Sequence, residues 1–278
     1  MASPDSMARL SRGVEMQLFL QLQNAGYTPE EIMKLKDMKE VLRRMRATML
    51  ACPEFRLIHD RWAPLEDVVV QVKSWPGINP DLVDAAVKEA ETNGTIAGYE
   101  AESAEKPKLG LVIDVARESL PATLQYSRDR VKETWGKKYT EWEDAYASGI
   151  DNTRIALISG AEPFVPNRIK VYAVDFGANH DPVSGIKLSD VQAAQAPQLA
   201  GFQVIYAMSQ HQEWVRKMNG GSDPYAIAAA LLLMVPGCGV CSPVVELDGR
   251  YADLGGYDVS GRFHECAMPL LRKYGAQN

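Results

Sequence analysis

The apolar run Ala226–Val235 limits most strongly what this chain can fold into. Its letters, AIAAALLLMV, contain no polar side chain, so the run must be buried. A helix that crosses a bilayer needs about 20 such residues. Alanine and leucine are strong helix formers, and the run therefore predicts a core helix. The turn-forming segment Asn219–Pro224, NGGSDP, would end the preceding element.

Composition and charge place the chain among soluble globular proteins. Its 278 residues are 46% hydrophobic and 24% charged, which is enough for one large or two ordinary domains. The net charge of −6 disfavours a protein dedicated to nucleic acid. The first residues lack the basic-then-apolar pattern of a signal peptide, and the chain has only four cysteines. We therefore expect a cytoplasmic protein with no membrane partner.

The sequence changes from mainly helical patterns to more frequent strand patterns near residue 150. Apolar residues recur at helical spacing over residues 8–50, and Thr28 with Pro29 marks the start of a second helix there. Short β-branched segments become more frequent from Asn152 onwards. We predict an α+β protein, with a mainly helical scaffold domain at 1–150 and a mixed α/β domain at 151–278.

A basic flank, Lys34–Arg46, lies on the second of these helices. A helix-turn-helix reader of nucleic acid could carry such a flank, and its binding would weaken steeply with salt. Acidic residues are interspersed, however, among them Asp37 and Glu40. We favour a solvated helix pair, because the acids dilute the positive charge.

Local patterns predict individual elements. Asn79 and Pro80 start a helix that runs to about Thr92. We predict a helix or helix pair at 118–147, a helix at 211–218, and a linker or mobile loop at 97–108. The aromatic residues at three- and four-residue intervals in 118–147 are assigned to the core. The predicted strands are Leu65–Val72, Leu109–Val115, Arg154–Ile158, Ile169–Val174, Phe202–Tyr206, Val244–Leu247, Tyr251–Leu254 and Phe263–Met268.

Three cysteines and one histidine near the C-terminus could hold a metal ion. Cys238 and Cys241 have the spacing of a zinc knuckle, and His264 with Cys266 could complete a tetrahedral site. The H-x-C half is unusual, and Cys266 borders an apolar segment in which a small thiol packs well. A zinc-containing enzyme or a zinc-stabilised domain is therefore the alternative; otherwise we expect no cofactor.

No complete catalytic signature accompanies these residues. His180 lies in the segment Asn-His-Asp-Pro, which could supply a base or a metal ligand but also reads as a plain turn. His59 and His211 adjoin acidic or polar residues and are assigned to solvated surfaces. Nucleophile-elbow, zinc-protease and phosphate-loop motifs are missing. We assign no catalytic residue and expect no enzymatic activity.

Residues 248–264 have the composition of a recognition surface. Arg250, Tyr251, Tyr257, Arg262 and Phe263 are interspersed with glycine and serine, which let a surface adapt to its partner. Every residue of this window can be encoded by a codon that ends in C or T. Lysine, glutamate, glutamine, methionine and tryptophan, which such codons cannot specify, do not occur in it. Adenine-directed mutagenesis of AAC or AAT codons would leave this pattern.

The same window resembles a known class of variable protein. Asp248–Leu254 together with Gly261–Leu271 resembles the C-terminal variable region of proteins diversified by retroelements. Ala25–Ile32 and Ala161–Asn167 resemble uncharacterised bacterial proteins that carry such tails. The resemblance implies a C-type-lectin-like C-terminal domain and a non-enzymatic binder of an unknown protein or other macromolecule. It also implies a set of ligand contacts: Arg250, Tyr251, Asp253, Tyr257, Asp258, Arg262, Phe263 and His264.

Overall fold

A computed structural model describes residues 61–274, apart from residues 104, 147–149, 152–153, 181–185, 220–222 and 264. For Ile186 and Phe263 only the backbone is described. The chain divides into two units, Met1–His59 and Asp60–Asn278, and the described residues belong to the second. The basic flank Lys34–Arg46 and His59 lie outside them. The described unit combines helices with sheets, which confirms the α+β class.

The elements are numbered along the described chain. The helices are α1 Leu65–Lys73, α2 Pro80–Thr92, α3 Thr95–Ser103, α4 Leu120–Trp135, α5 Glu143–Tyr146, α6 Leu188–Gln195, α7 Phe202–Gln210 and α8 Gln212–Arg216. The strands are β1 Leu109–Val115, β2 Tyr139–Glu141, β3 Ile155–Leu157, β4 Ile169–Asp175, β5 Ile186–Lys187, β6 Tyr225–Ile227, β7 Leu231–Val235, β8 Gly239–Asp248, β9 Tyr251–Asp258, β10 Arg262–Phe263, β11 Cys266–Ala267 and β12 Leu270–Arg272. Within the described residues, no helix is both long and apolar enough to cross a membrane.

The first sheet has the antiparallel order β1-β4-β12. Its register pairs Leu109 with Asp175 and Val115 with Ile169, while α1, α3 and α7 pack on β1 and α2 packs on β4. Strands from both sides of residue 150 are therefore hydrogen-bonded to each other. The predicted division into 1–150 and 151–278 is not the one found, because these long-range pairings join both segments in one compact unit.

Helix α7 protects the free edge of β1. An unpaired edge strand exposes backbone groups that need partners. The Gln210 side chain accepts from the Ile113 N–H and donates to the Ile113 carbonyl, and the Tyr206 hydroxyl donates to the Val115 carbonyl. His211 Nε2 lies 2.8 Å from the Leu111 carbonyl oxygen, and Nδ1 accepts from the Ala63 N–H. His211 is 1% exposed, so its assignment to a solvated surface was wrong.

The second sheet is built around β8. Strands β6 and β7 pair with different halves of one edge of β8, and β9 pairs with the other edge along most of its length. The outer strands are β11 on β6, β3 on β7 and β2 on β9. Strands β5 and β10 form a separate two-stranded pair.

The apolar run Ala226–Val235 forms part of β6, a turn and β7, so the predicted core helix was wrong. Leu231, Leu233 and Val235 are buried, while Leu232 and Met234 are more exposed. This is the two-residue period of a strand, which is invisible in a sequence where every residue is apolar. Cross-strand partners on β8 decide the conformation here rather than helix propensity.

Three other assignments were also wrong. Leu65–Val72 belongs to helix α1, whose buried residues Val68 and Val72 are four residues apart. Phe202–Tyr206 belongs to α7, which is buried on all sides and therefore lacks a polar face. The predicted linker 97–108 contains most of α3.

The predicted helix or helix pair at 118–147 contains two helices, α4 and α5, with a strand between them. Helix α4 ends at Trp135, where Gly136 adopts a left-handed φ of +53°, and β2 and α5 follow. Trp135 and Tyr146 are buried and Tyr139 and Trp142 pack against the same core, in agreement with their assignment to the core. Helix α2 with its Asn79 cap and strands β1, β3 and β4 are confirmed.

Candidate functional site

The far end of the β8–β9 hairpin carries the candidate site, which we call the tip patch: Glu246, Asp248, Arg250, Tyr251 and Asp253. Gly249 closes the turn with a φ of +59°, which favours glycine. Asp248 pairs with Tyr251 and Glu246 pairs with Asp253. Because paired residues and alternate residues share a face, these four side chains lie together. The Tyr251 side chain is 47% exposed.

Glu246 and Asp253 lie side by side on the outer face of the hairpin. Both lie over Gly255, where an added Cβ would come within 3.1 Å of Glu246 Oε1 and 3.4 Å of Asp253 Oδ2. Thr140 Oγ1 donates to Asp253 Oδ1 at 2.6 Å. Burial, then the charges of Asp253 and Asp248 and a hydrogen bond with Asp253, raise the pKa of Glu246. A cationic group placed here would relieve this repulsion.

The opposite face of the hairpin is fixed in the main core. Ala252 and Leu254 are fully buried, and the indole of Trp142 covers Gly256, where an added Cβ would lie 2.9 Å from Cζ3. The Tyr146 hydroxyl donates to the Gly255 carbonyl at 2.9 Å. The tip patch is therefore mounted on a strand held by both packing and hydrogen bonds.

Strand β2 supports the outer edge of β9. Its pairing is parallel, with Tyr139 opposite Ala252 and Glu141 opposite Leu254. The buried Arg128 guanidinium of α4 donates to both carboxylate oxygens of Glu141, at 3.0 and 2.7 Å. Bidentate pairs of this kind fix orientation as well as distance. The tip patch thus has a rigid neighbour on its β9 side.

The eight predicted ligand contacts do not form one patch. Arg250, Tyr251 and Asp253 lie in the tip patch, whereas Asp258 is the last residue of β9 and Arg262 begins β10. Strand β9 spans roughly 24 Å from Tyr251 to Asp258 at about 3.4 Å per residue. Asp258 stabilises its own turn by accepting from the Ser260 N–H at 2.7 Å and from its hydroxyl at 2.8 Å.

Of the three other predicted contacts, Tyr257 and the backbone of Phe263 are described. Tyr257 is half-buried against the second core, formed around Leu188, Ile227 and Val244, and shares a hydrogen bond with Cys266. The backbone of Phe263 pairs with Ile186. His264 lies outside the described residues.

The cysteines do not converge in the described structure. Cys241 is buried in the main core, Cys266 in the second core, and Cys238 is exposed. Burial raises the pKa of Cys241 and raises that of Cys266 to about 12, so both thiols are protonated at neutral pH. Among the residues that the structure describes, no three His, Cys, Asp or Glu side chains are grouped as a metal site would require. The predicted fourth ligand, His264, lies outside them.

Sequence reasoning missed a second polar site, beside the first sheet. Asp114 lies in the otherwise apolar strand LGLVIDV, and Gln203 lies in the apolar segment FQVIY. A single polar residue within a buried segment was the available signal in both cases. The two side chains meet across a cavity that also contains Glu162, Lys170 and Tyr172.

Comparisons with protein families, curated proteins and solved structures find no match to this chain. The tip patch and the Asp114 cavity are the two candidate sites in the described part of the chain. The first offers an exposed aromatic ring among carboxylates, and the second offers an enclosed carboxylic acid.

Proposed function

We propose that this protein is a non-enzymatic binding protein and that its tip patch binds a basic surface of another protein. The observation that carries the proposal is the exposed Tyr251 ring beside Asp248, next to the Glu246–Asp253 pair. A tyrosine supplies a large contact area with little loss of entropy. The carboxylates attract a basic partner and repel the phosphates of nucleic acid.

The likeness of residues 248–264 to a retroelement-diversified region supports the same proposal. In such a protein, variable side chains would have to change without disturbing the scaffold. Tyr251 and Asp253 point away from the main core, while Ala252 and Leu254 between and beyond them are buried. We infer a C-type-lectin-like arrangement for the C-terminal region on this basis. We also infer a cytoplasmic location, because Cys238, Cys241 and Cys266 are free thiols.

The proposal is tested by selecting peptides from a displayed random library on the full-length protein. We expect the enriched peptides to be rich in lysine and arginine. Tyr251→Ala should weaken their binding at least tenfold, which is typical of an aromatic side chain that dominates an interface.

Met234→Ala is the matched control, because Met234 on β7 is also about half exposed, at 49%. It should change the affinity less than twofold. Failure to enrich any peptide, enrichment of acidic peptides, or an equal loss in both variants would each overturn the proposal.

A further inference from the structure

A cavity of about 60 Å³ lies beside the first sheet, next to the N-terminus of α7. Asp114 of β1 and Lys170 of β4 are directly paired across the sheet, and Gln203 of α7 donates to the Asp114 carboxyl group. Phe164 and Phe202 contribute apolar walls, and Val165, which is 44% exposed, lies at the mouth. A space of this size holds several water molecules or one small chemical group.

The Asp114 carboxyl group is only partly satisfied. Gln203 Nε2 donates to Oδ2, and Gln203 Oε1 accepts from the Gly201 N–H at 2.8 Å, which fixes the orientation of the amide. Oδ1 is buried and has no hydrogen-bond partner among the described residues. Buried polar atoms almost always have a partner, so Oδ1 marks a position where a donor is expected.

The positive groups beside the cavity already have partners. Lys170 Nζ lies 2.8 Å from Glu162 Oε1, which also accepts from the Tyr172 hydroxyl at 2.9 Å. Arg168 pairs with Glu89 at 3.2 Å. Asp114 thus has no dedicated counter-ion, and a cation from outside could fill that role.

The charge state of Asp114 depends on pH in the neutral range. Burial raises its pKa to about 7, and the nearby Glu162 carboxylate acts in the same direction. The Gln203 amide, the Lys170 ammonium and the backbone N–H of Val115 oppose this shift. The other titratable groups facing it are the hydroxyls of Tyr172 and Tyr206, whose pKa values are raised by burial.

We propose that the cavity binds a primary ammonium group, from a small alkylamine or from a lysine side chain, with Asp114 Oδ1 as its acceptor. The ammonium group supplies both the missing donor and the missing positive charge, whereas water supplies only a donor. The apolar walls formed by Phe164 and Phe202 accommodate the alkyl stem. This site is separate from the tip patch, so it can fail while the proposed function holds.

Titration calorimetry of the full-length protein with n-butylammonium chloride tests the proposal. At pH 8 we expect saturable binding with a Kd on the order of millimolar, as suits so small a ligand. Binding should be about tenfold weaker at pH 6, where most Asp114 carboxyls hold a proton. Nα-acetyl-lysine methylamide, compared with n-butylammonium, distinguishes a lysine side chain from a free amine as the preferred source.

Asp114→Asn should weaken binding at pH 8 at least tenfold. Asp129→Asn, on the exposed face of α4 where it contacts Gln125, should leave binding unchanged. If the Asn variant does not fold, the pH dependence of n-butylammonium binding to the unmodified protein still tests the proposal. The proposal is overturned if 1-butanol binds as well as the amine, if binding is independent of pH, or if no binding saturates below 100 mM, a ceiling of roughly a hundred times the expected Kd.

Discussion

The tip patch and the Asp114 cavity both contain a carboxyl group with a raised pKa, but for different reasons. At the tip, partial burial is joined by repulsion from Asp253 and Asp248, because several carboxyl groups lie together on an accessible surface. In the cavity, burial dominates and a single carboxyl group holds its proton up to about pH 7. The tip patch can attract a large basic partner from a distance. The Asp114 carboxyl group ionises only when a small cation binds beside it or the pH is higher.

The largest expected effect is the contribution of Asp114 to the pH dependence of the free energy of unfolding. The pKa of Asp114 rises from 3.8 in the unfolded chain to about 7 in the folded one. Between these values the folded state holds a proton that the unfolded state has lost, so the contribution of Asp114 to stability falls as pH rises, by up to about 4 kcal/mol. Asp114→Asn should remove this contribution, so that stability rises from pH 4 to pH 6, where the titration of His211 then acts alone. Urea denaturation at pH 4, 6 and 8 measures it, and an unchanged profile would contradict the assignment.

His211 should produce a slightly smaller effect of opposite sign. Burial lowers its pKa from 6.5 to about 4, so between these values only the unfolded chain binds the proton. Stability therefore rises with pH over this window, by up to about 3 kcal/mol, and is constant above it. The two groups nearly offset each other in the native protein. His211→Gln should expose the Asp114 contribution, so that stability falls from pH 4 to pH 7; a rise instead would show that His211 is not the titrating group.

Disrupting the packing behind the tip patch should change the free energy of unfolding less than the buried titratable groups do. The change should still exceed that caused by substitution within the tip patch. Gly256→Ala would place a methyl group 2.9 Å from the Trp142 ring, which we expect to lower the free energy of unfolding by about 2 kcal/mol. Trp142→Leu in the same chain should reduce that penalty, because the smaller side chain leaves room. Chemical denaturation of both variants provides the measurement, and equal penalties would show that this contact is unimportant.

Substitution within the tip patch should have the smallest effect on folding. Glu246→Gln removes one of two repelling carboxyl groups and leaves the hydrogen-bonding shape intact. We expect stability at pH 7 to change by less than about 0.5 kcal/mol, as for most surface substitutions. A thermal melt checks this, and a large loss would mean that the pair holds the hairpin together rather than serving recognition.

Local signals predicted elements whose ends are chemically marked. Helix α2 has the Asn79 cap and Pro80, and β4 is a β-branched segment bounded by polar turns. Three of the failures share a different property, since Leu65–Val72, Phe202–Tyr206 and Ala226–Val235 are largely apolar. In such segments the helical and strand periods cannot be distinguished, and the partners that decide between them are distant in sequence.

The same limit applies to the candidate site. Composition alone pointed to Arg250, and the resemblance added Asp253, but neither indicated Glu246. Its role depends on the β8–β9 register, which places it opposite Asp253. The predicted contacts Tyr257 and Asp258 lie at the end of β9 that is remote from the tip. Asp114 was missed because its partner Gln203 lies 89 residues away.

The central claim is that the charge of the tip patch selects a basic protein partner. The most direct test is the affinity of one selected basic peptide for the full-length protein and for its Asp248→Lys variant. We predict at least a tenfold loss of affinity in the variant at physiological salt, with an unchanged melting temperature. An affinity within twofold of the unmodified protein would contradict the claim, because the peptide would then bind elsewhere.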